Sequence, residues 1–430
     1  MRRLGILLVA AVFCRAADDP QQVLEEIRQK VQQQLSKSAN YACTETLYRN
    51  YFLSTVPLSA ACAAKSSPAQ RKEFAHDRLR LDIAVSENAE LYSWRGENNY
   101  SSKQIDEIVQ SGPISSGGFV GYLQNIFLGK DIEFRYTGRS TANSVETFHF
   151  EYTVPKAASQ YEIIMPNGRS VVPFHGSFSA SAASLELVSL KVIADDIPFG
   201  SNICSAETEV TYQLLPISGR TELIPATFEL SLDDDEHMFT VSRGEYSHCH
   251  EFRAESTLRF DYSDTTALPS AARSAVVERL PAGLVLKVSL ATPIDEETSF
   301  TGDPVDAVLA SPLKIPRTGE TIPRGARLHG VITQLESRSQ PGNHYFVKIV
   351  FERLTWGERS YLLRAIHKPS DKEIDHMSSP YGGVLPKSYS RQINDGVLII
   401  TAGHLHLDQR FTGDWRTTPI AAPQIATPAQ

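Results

Sequence analysis

DRLRLDIAVSENAELYSWRGE, residues 77–97, decides the fold class of this chain. Leu79, Leu81, Ile83 and Val85 fall on every second residue, with Arg78, Arg80 and Asp82 between them. That is the period of a strand with one face in a core and one in contact with polar surroundings. SENAE then turns the chain, and Tyr92 and Trp94 take up the alternation again. The stretch therefore reads as a hairpin of an antiparallel sheet.

The same period recurs outward on both sides. Phe134 and Tyr136 share one face; Phe148, Phe150, Tyr152 and Val154 share another. Further strands are expected at residues 185–193, 206–215, 226–232 and 256–262. The helical period is confined to few places. Residues 20–37 carry Val23, Leu24, Ile27, Val31 and Leu35 at three- and four-residue steps, with Asp18, Asp19 and Pro20 suited to a helix start. Residues 102–110 and 117–128 also read as helical, split by Gly112-Pro113, and the second bears Phe119, Tyr122, Leu123, Ile126 and Phe127 on one face. Burying each such side chain stabilises by about 1.5–3 kcal/mol, so this stripe must meet either the sheet or a ligand.

A second β segment begins near residue 280. Strands are expected at 284–290, 305–309, 326–332, 345–351, 361–366, 397–401 and 404–407. Pro281 to Gly283 and Pro323 to Gly325 are turn signals that launch two of them. Residues 367–390 are polar and irregular.

The chain has 430 residues, a net charge of −8 and 41% apolar residues. Its length suits two domains. The negative charge argues against nucleic acid as a partner. Arg2 and Arg3, an apolar run over 4–13, and Ala16 and Ala17 read as a secretory signal peptide, too short in its apolar part to span a bilayer. Nothing after Phe13 is long and apolar enough for a spanning helix, so the mature chain is expected to be soluble and exported, periplasmic or extracellular. Cys14 follows the bulky Phe13, which does not suit a lipoprotein signal. Cys43, Cys62, Cys204 and Cys249 remain, an even number that in an exported chain implies disulfides. Three pairings are open. The local one, Cys43–Cys62 with Cys204–Cys249, is the expected one, contributing about 3 and about 4 kcal/mol by the chain-entropy model.

The resulting map is a signal peptide over 1–16, an N-terminal domain over 18–262, a linker over 263–279, a β-barrel domain over 280–416 and a disordered tail over 417–430. The two domains are expected to fold independently, joined near residues 265–276.

No GxSxG, HExxH, P-loop or GxGxxG sequence occurs. Ser115 and Ser116 sit in a loop of the wrong spacing for a nucleophile elbow. His248 and His250, and His404 and His406, have the two-residue spacing of strand neighbours on one face; without a carboxylate run beside them they read as surface rather than as a metal site. Asp233 to Glu236, followed by His237, lacks the spacing of a calcium loop and reads as a hairpin turn. No cofactor and no metal are expected.

The order of helix, antiparallel strands, aromatic helical insert and further strands resembles the half-barrel of LolA-type lipoprotein carriers and RseB-like periplasmic sensors. The words NYACTETLYR (40–49), DRLRLDIAVSENAELYSWRGE (77–97), FHGSF (174–178), ADDIP (194–198) and CHEFRAESTLRFD (249–261) resemble exported proteins of acidobacterial type. In the C-terminal part, LPAGLVLKVSLATPID (280–295), GDPVDAVL (302–309) and IPRGARLHGVI (322–332) resemble the β-barrel of TrbI-type scaffold proteins of type IV secretion, though the membrane anchor and Pro-rich stalk of those proteins have no counterpart here. The resemblance implies a mainly β, α+β fold: a LolA-like half-barrel with an N-terminal helix and a helical insert, then a small barrel. It implies a non-enzymatic envelope protein with room for a lipid or hydrophobic peptide lined by Tyr92, Trp94, Phe119, Tyr122, Leu123, Ile126 and Phe127, and an envelope protein partner for residues 280–416. A purely structural envelope component and a hydrolase are the other readings.

Overall fold

The computed structural model describes residues 19–420, except 38–39, 56–61, 63–66, 88, 96–99, 101–103, 110–111, 143–144, 166–167, 253–276, 317, 340–342, 372 and 375–393. The expected signal peptide, the strand at 256–262 and most of the linker lie outside the described residues.

Helix α1 (Pro20–Lys37) begins where the sequence places it, with the Asp19 carboxylate accepting the Gln21 amide at 3.1 Å and Pro20 in the first turn. Its buried face is Val23, Ile27, Val31 and Leu35. The N-terminal strands are β1 (Tyr41–Ser54), β2 (Arg71–Ser86), β3 (Ala89–Trp94), β4 (Glu133–Ala142), β5 (Val145–Val154), β6 (Glu162–Met165), β7 (Gly168–Val171), β8 (Phe174–Ser181), β9 (Leu187–Ala194), β10 (Ile203–Ile217), β11 (Arg220–Asp234) and β12 (Met238–Glu251). Ten of them form one antiparallel sheet, in the order β4-β5-β8-β9-β10-β11-β12-β1-β2-β3. β6 and β7 make a separate hairpin.

The helical insert is less regular than its apolar period suggests. The described part of 102–110 is a single turn, α2 (Ile105–Ile108). Residues 118–120 are a turn, and α3 (Gly121–Leu123) opens at once into a π-helical turn, Gln124–Leu128. Together with α1, the insert covers the sheet face that carries Phe150, Phe174 and Phe178.

The C-terminal strands are β13 (Val277–Arg279), β14 (Val285–Leu290), β15 (Ile294–Asp295), β16 (Pro304–Leu309), β17 (Leu313–Lys314), β18 (Thr321–Ile322), β19 (Arg327–Arg338), β20 (His344–Trp356), β21 (Arg359–His367), β22 (Val397–Thr401), β23 (His406–Leu407) and β24 (Thr412–Thr417). β14-β16-β19-β20-β21-β24 close on themselves through the β24–β14 pair, giving a six-stranded antiparallel barrel. The fold class is mainly β, as expected. The buried apolar side chains form two separate clusters, one drawn from residues 23–230 and one from 280–415.

Three sequence expectations need correction. The last residues assigned to the linker, 277–279, are β13, which pairs in parallel with β21. The tail cannot begin at 417: Thr417 is 2% exposed and ends β24, the strand that closes the barrel. TGDWRT has only Trp415 as an apolar marker, so a period of two could not reveal it.

The third correction is the disulfide pairing, which is Cys43–Cys249 and Cys62–Cys204. Sheet order is not chain order: β1 lies between β2 and β12, and the bulge at Cys43 sets it against Cys249, Cα to Cα 4.1 Å. The bridges span 206 and 142 residues. Either alone restricts the unfolded chain by about 5 kcal/mol, and the nested pair by less than the sum.

The barrel also extends the first sheet. Glu336, Ser337 and Arg338 of β19 pair with Asp77, His76 and Ala75 of β2. Thr301 exchanges backbone hydrogen bonds with Arg78 and Arg80 at 2.9 and 2.8 Å. The Phe300 ring lies under both guanidinium groups, 4.6 Å from that of Arg78 and 3.8 Å from that of Arg80, and Asp303 pairs with Arg80 at 2.9 Å. The arginines of the opening stretch thus form part of the contact between the two parts of the chain.

Candidate functional site

Three sets of contacts fasten the insert to the sheet, the β5–β6 connection and α1. At its start, the Glu90 carboxylate accepts the backbone amides of Gly117, Phe119 and Val120 at 2.9, 3.1 and 2.9 Å, and the Tyr92 hydroxyl at 2.5 Å. Amides without helical partners favour an anion there. Midway, Tyr212 donates to the Gly118 carbonyl at 3.0 Å, and Asn125 both donates to Ala158 and accepts from Gln160, at 2.7 and 2.8 Å. At its end, Arg28 of α1 donates to the Phe127 carbonyl at 3.0 Å. Beneath the loop that joins α2 to α3, Arg49 and Asp77 form a buried bidentate pair at 2.7 and 2.5 Å, and Arg49 also donates to the Pro113 carbonyl at 3.3 Å.

A cleft of about 670 Å³ opens between this insert, the β6–β7 hairpin and the adjoining ends of β10 and β11. Its volume is within the range of small-molecule sites, about 300–1,000 Å³. Ile105, Val109, Ile114, Ile163, Ile203 and Leu230 make an apolar wall. Tyr122 and Tyr161 stack with centroids 6.2 Å apart, and Tyr122 shares a hydrogen bond of 3.0 Å with Ser115. Burial raises the Tyr122 phenol, so it stays protonated and neutral at the wall. Arg169 ties β7 to α2 through both oxygens of Asp106, at 2.8 and 2.7 Å. The lining holds Ser115 and Ser116 but no histidine. This arrangement suits the binding of an apolar body with a few polar contacts.

Of the seven residues expected to line a ligand site, Tyr122 alone borders this cleft. Phe119 packs between Tyr41 and Tyr246, with centroids 6.1 and 4.9 Å away. Leu123 and Ile126 are buried, and Phe127 meets Phe178 edge-on at 5.0 Å. The Tyr92 hydroxyl serves Glu90. Trp94, half-buried, ends β3 beside Gly302. The aromatic face of the sheet, with Phe150 stacked on Phe178 at 5.2 Å, takes up most of the stripe. The residues missed by sequence reasoning, Asp106, Asn125, Tyr161, Ile163 and Arg169 among them, carry no local signal. Topology alone brings the hairpin to the insert.

A buried acid beneath the insert was also missed. Glu45 is pushed up to about 7 by burial and by the charge of Glu90, against the hydrogen bond it accepts from Tyr246 at 3.0 Å.

The histidine pairs part company. Cys249 is bridged to Cys43, and His250 contacts the His248 carbonyl at 2.8 Å. His404 engages Glu296 and Asp295 at 2.7 and 3.0 Å, and His406 engages Asp295 at 3.1 Å. These carboxylates lie more than a hundred positions away in sequence, at separations of 108 to 111. Both ring nitrogens of His404 are taken by carboxylates, so the group is an ion-pair cluster; among the described residues no set of three or more side chains is placed to hold a metal. Of the run Asp233 to Glu236, Asp233 and Asp234 end β11 and Asp235 and Glu236 make the hairpin turn to β12, with Asp234 accepting the amides of Glu236 and Met238 at 3.0 and 2.8 Å.

No protein-family model matches the chain, and no curated protein matches it. Solved structures are similar to its N-terminal part. A DUF1329 family protein from Desulfovibrio piger is 10% identical with a TM-score of 0.28, over 55% of this chain and 95% of that one. A LolA superfamily protein from Nitrosomonas europaea is 9% identical with a TM-score of 0.27, over 56% and 96%. The Mycobacterium tuberculosis lipoprotein LppX is 10% identical with a TM-score of 0.20, over 55% and 99%. Likenesses of this size carry no inference about function.

Proposed function

We propose that the chain is a non-enzymatic, exported envelope protein that holds a lipid or hydrophobic peptide in the cleft between its helical insert and its curved sheet. The observation that carries this reading is the cleft of about 670 Å³ with its wall of isoleucine, valine and leucine. Such a wall favours an apolar guest, and the tyrosines and Asn125 provide the few polar contacts that orient one. Two disulfides agree with folding in an oxidising compartment. No helix among the described residues is long and apolar enough to cross a membrane. In this reading residues 277–417 form the unit that contacts an envelope protein, and the two parts, each with its own core, fold separately.

The rival reading, a structural component without ligand, draws on the burial of Phe119, Leu123, Ile126 and Phe127 in the protein's own core. Titration with a fluorescently labelled monoacylglycerol separates the two. The wild type should bind it, and Ile203→Trp, which fills the cleft, should weaken binding at least tenfold while the melting temperature stays near that of the wild type. Equal binding by both proteins would place the lipid elsewhere, and no binding by the wild type would leave the structural reading.

A further inference from the structure

The connection from β9 to β10 is a shaped loop. Asp196, Gly200 and Asn202 have positive φ, at 46°, 88° and 62°. The Ser201 amide donates to the Pro198 carbonyl at 3.2 Å, closing a turn with Phe199 and Gly200 at its centre. Positive φ at the third position of such a turn is what glycine supplies. The Asp195 amide donates to Pro173 at 2.9 Å and the Asp235 amide to Asn202 at 3.1 Å, so both ends of the loop are held to neighbouring elements.

At the tip of this fixed turn the Phe199 side chain is fully exposed. Ser201, Asn202 and Ile203, beginning two residues after it, line the cleft. Ile164, on the β6–β7 hairpin, also lines the cleft and is 44% exposed. Ile164 therefore stands at the rim of the cleft, and the 198–201 turn holds Phe199 two residues ahead of Ser201, the first lining residue on that side; Ile163 and Ile203 belong to the apolar wall.

We propose that Phe199 and Ile164 are a lipid-docking rim: they enter the acyl boundary of a zwitterionic lipid surface and set the mouth of the cleft against it. This deepens the lipid reading above and rests on it. The nearness of these exposed apolar side chains to the apolar wall favours a lipid surface, from which an apolar guest could pass into the cleft. The charge selects the headgroup. Asp195, Asp196, Asp234, Asp235 and Glu236 belong to the loop or to the turn bonded to it. Anionic headgroups would be repelled there, within about a Debye length of the surface.

Flotation of the full chain with vesicles tests this. Wild type should float with phosphatidylcholine vesicles, and less when phosphatidylglycerol is added. Phe199→Ser should weaken vesicle binding by about tenfold or more, as expected for removing one buried phenyl group, and Phe199→Trp should keep it. Ile164→Ser should act in the same direction. The Phe199 variants, whose changed side chain is not part of the cleft lining, should bind labelled monoacylglycerol in solution like the wild type. A wild type that stays with the pellet, or a Phe199→Ser variant that floats equally well, would overturn the rim. So would a self-association in sedimentation that Phe199→Ser abolishes, because the rim would then meet a second copy. Flotation without any monoacylglycerol binding would leave the rim standing and defeat the cleft reading instead.

Discussion

Single residues in this chain do work that their neighbours in sequence do not announce. Arg78 and Arg80 occupy the polar phase of an alternating strand, which sequence alone assigns to solvent. In the structure they clasp Phe300, more than two hundred positions away. Glu45 is the other case. It stands in NYACTETLYR, in β1, and it is buried beside Tyr246 and Glu90. A folded-state value of about 7, above the usual carboxyl value of 4.5, means that the folded protein binds this proton more tightly than the unfolded chain. The Glu45 contribution is therefore most favourable below pH 4.5, declines as the pH rises towards 7, and is constant above. Glu45→Gln should remove that slope, so that the variant gains on the wild type as pH rises from about 5 to about 8. Urea denaturation at several pH values measures it; parallel curves for the two proteins would show that Glu45 ionises freely.

At the scale of elements, the strands were legible where one apolar face alternates cleanly. β2, β5, β10, β16 and β21 fall where periodicity puts them, and α1 has the expected bounds. β24 was not legible because a Gly, an Asp and an Arg interrupt its six residues. The disulfide pairing was hidden for a related reason: adjacency of β12 to β1 is a property of the sheet, not of the local sequence. The insert was legible as apolar and aromatic, yet its turn types and the direction of its stripe depended on what the sheet offered. Phe127, 1% exposed and packed on Phe178, is core. Phe127→Ala should cost about 3–5 kcal/mol of stability, as truncation of a large core side chain does. Chemical denaturation checks this, and a loss under about 1 kcal/mol would mean that the ring faces a void or a replaceable guest.

Across the molecule, two cores among the described residues lie under one continuous hydrogen-bonded set of 18 described strands. The barrel lends β19 to the edge of β2, and the 295–303 loop adds Phe300 and Asp303 to the contact. This extension covers part of a sheet edge that would otherwise expose unpaired backbone groups. The cleft lies in the first part of the chain, walled by elements from four separate stretches. That is why the sequence could suggest an apolar site through its aromatic stripe while naming only Tyr122 among the residues that border this cleft. The central claim is that this cleft holds a lipid or hydrophobic peptide. Native mass spectrometry of the full chain, exported to a bacterial periplasm and purified without detergent, tests it most directly. The account predicts an adduct of lipid or peptide mass at one per chain, lost in Ile203→Trp. A wild-type spectrum showing only the bare polypeptide, under conditions that preserve a known lipid complex, would contradict it.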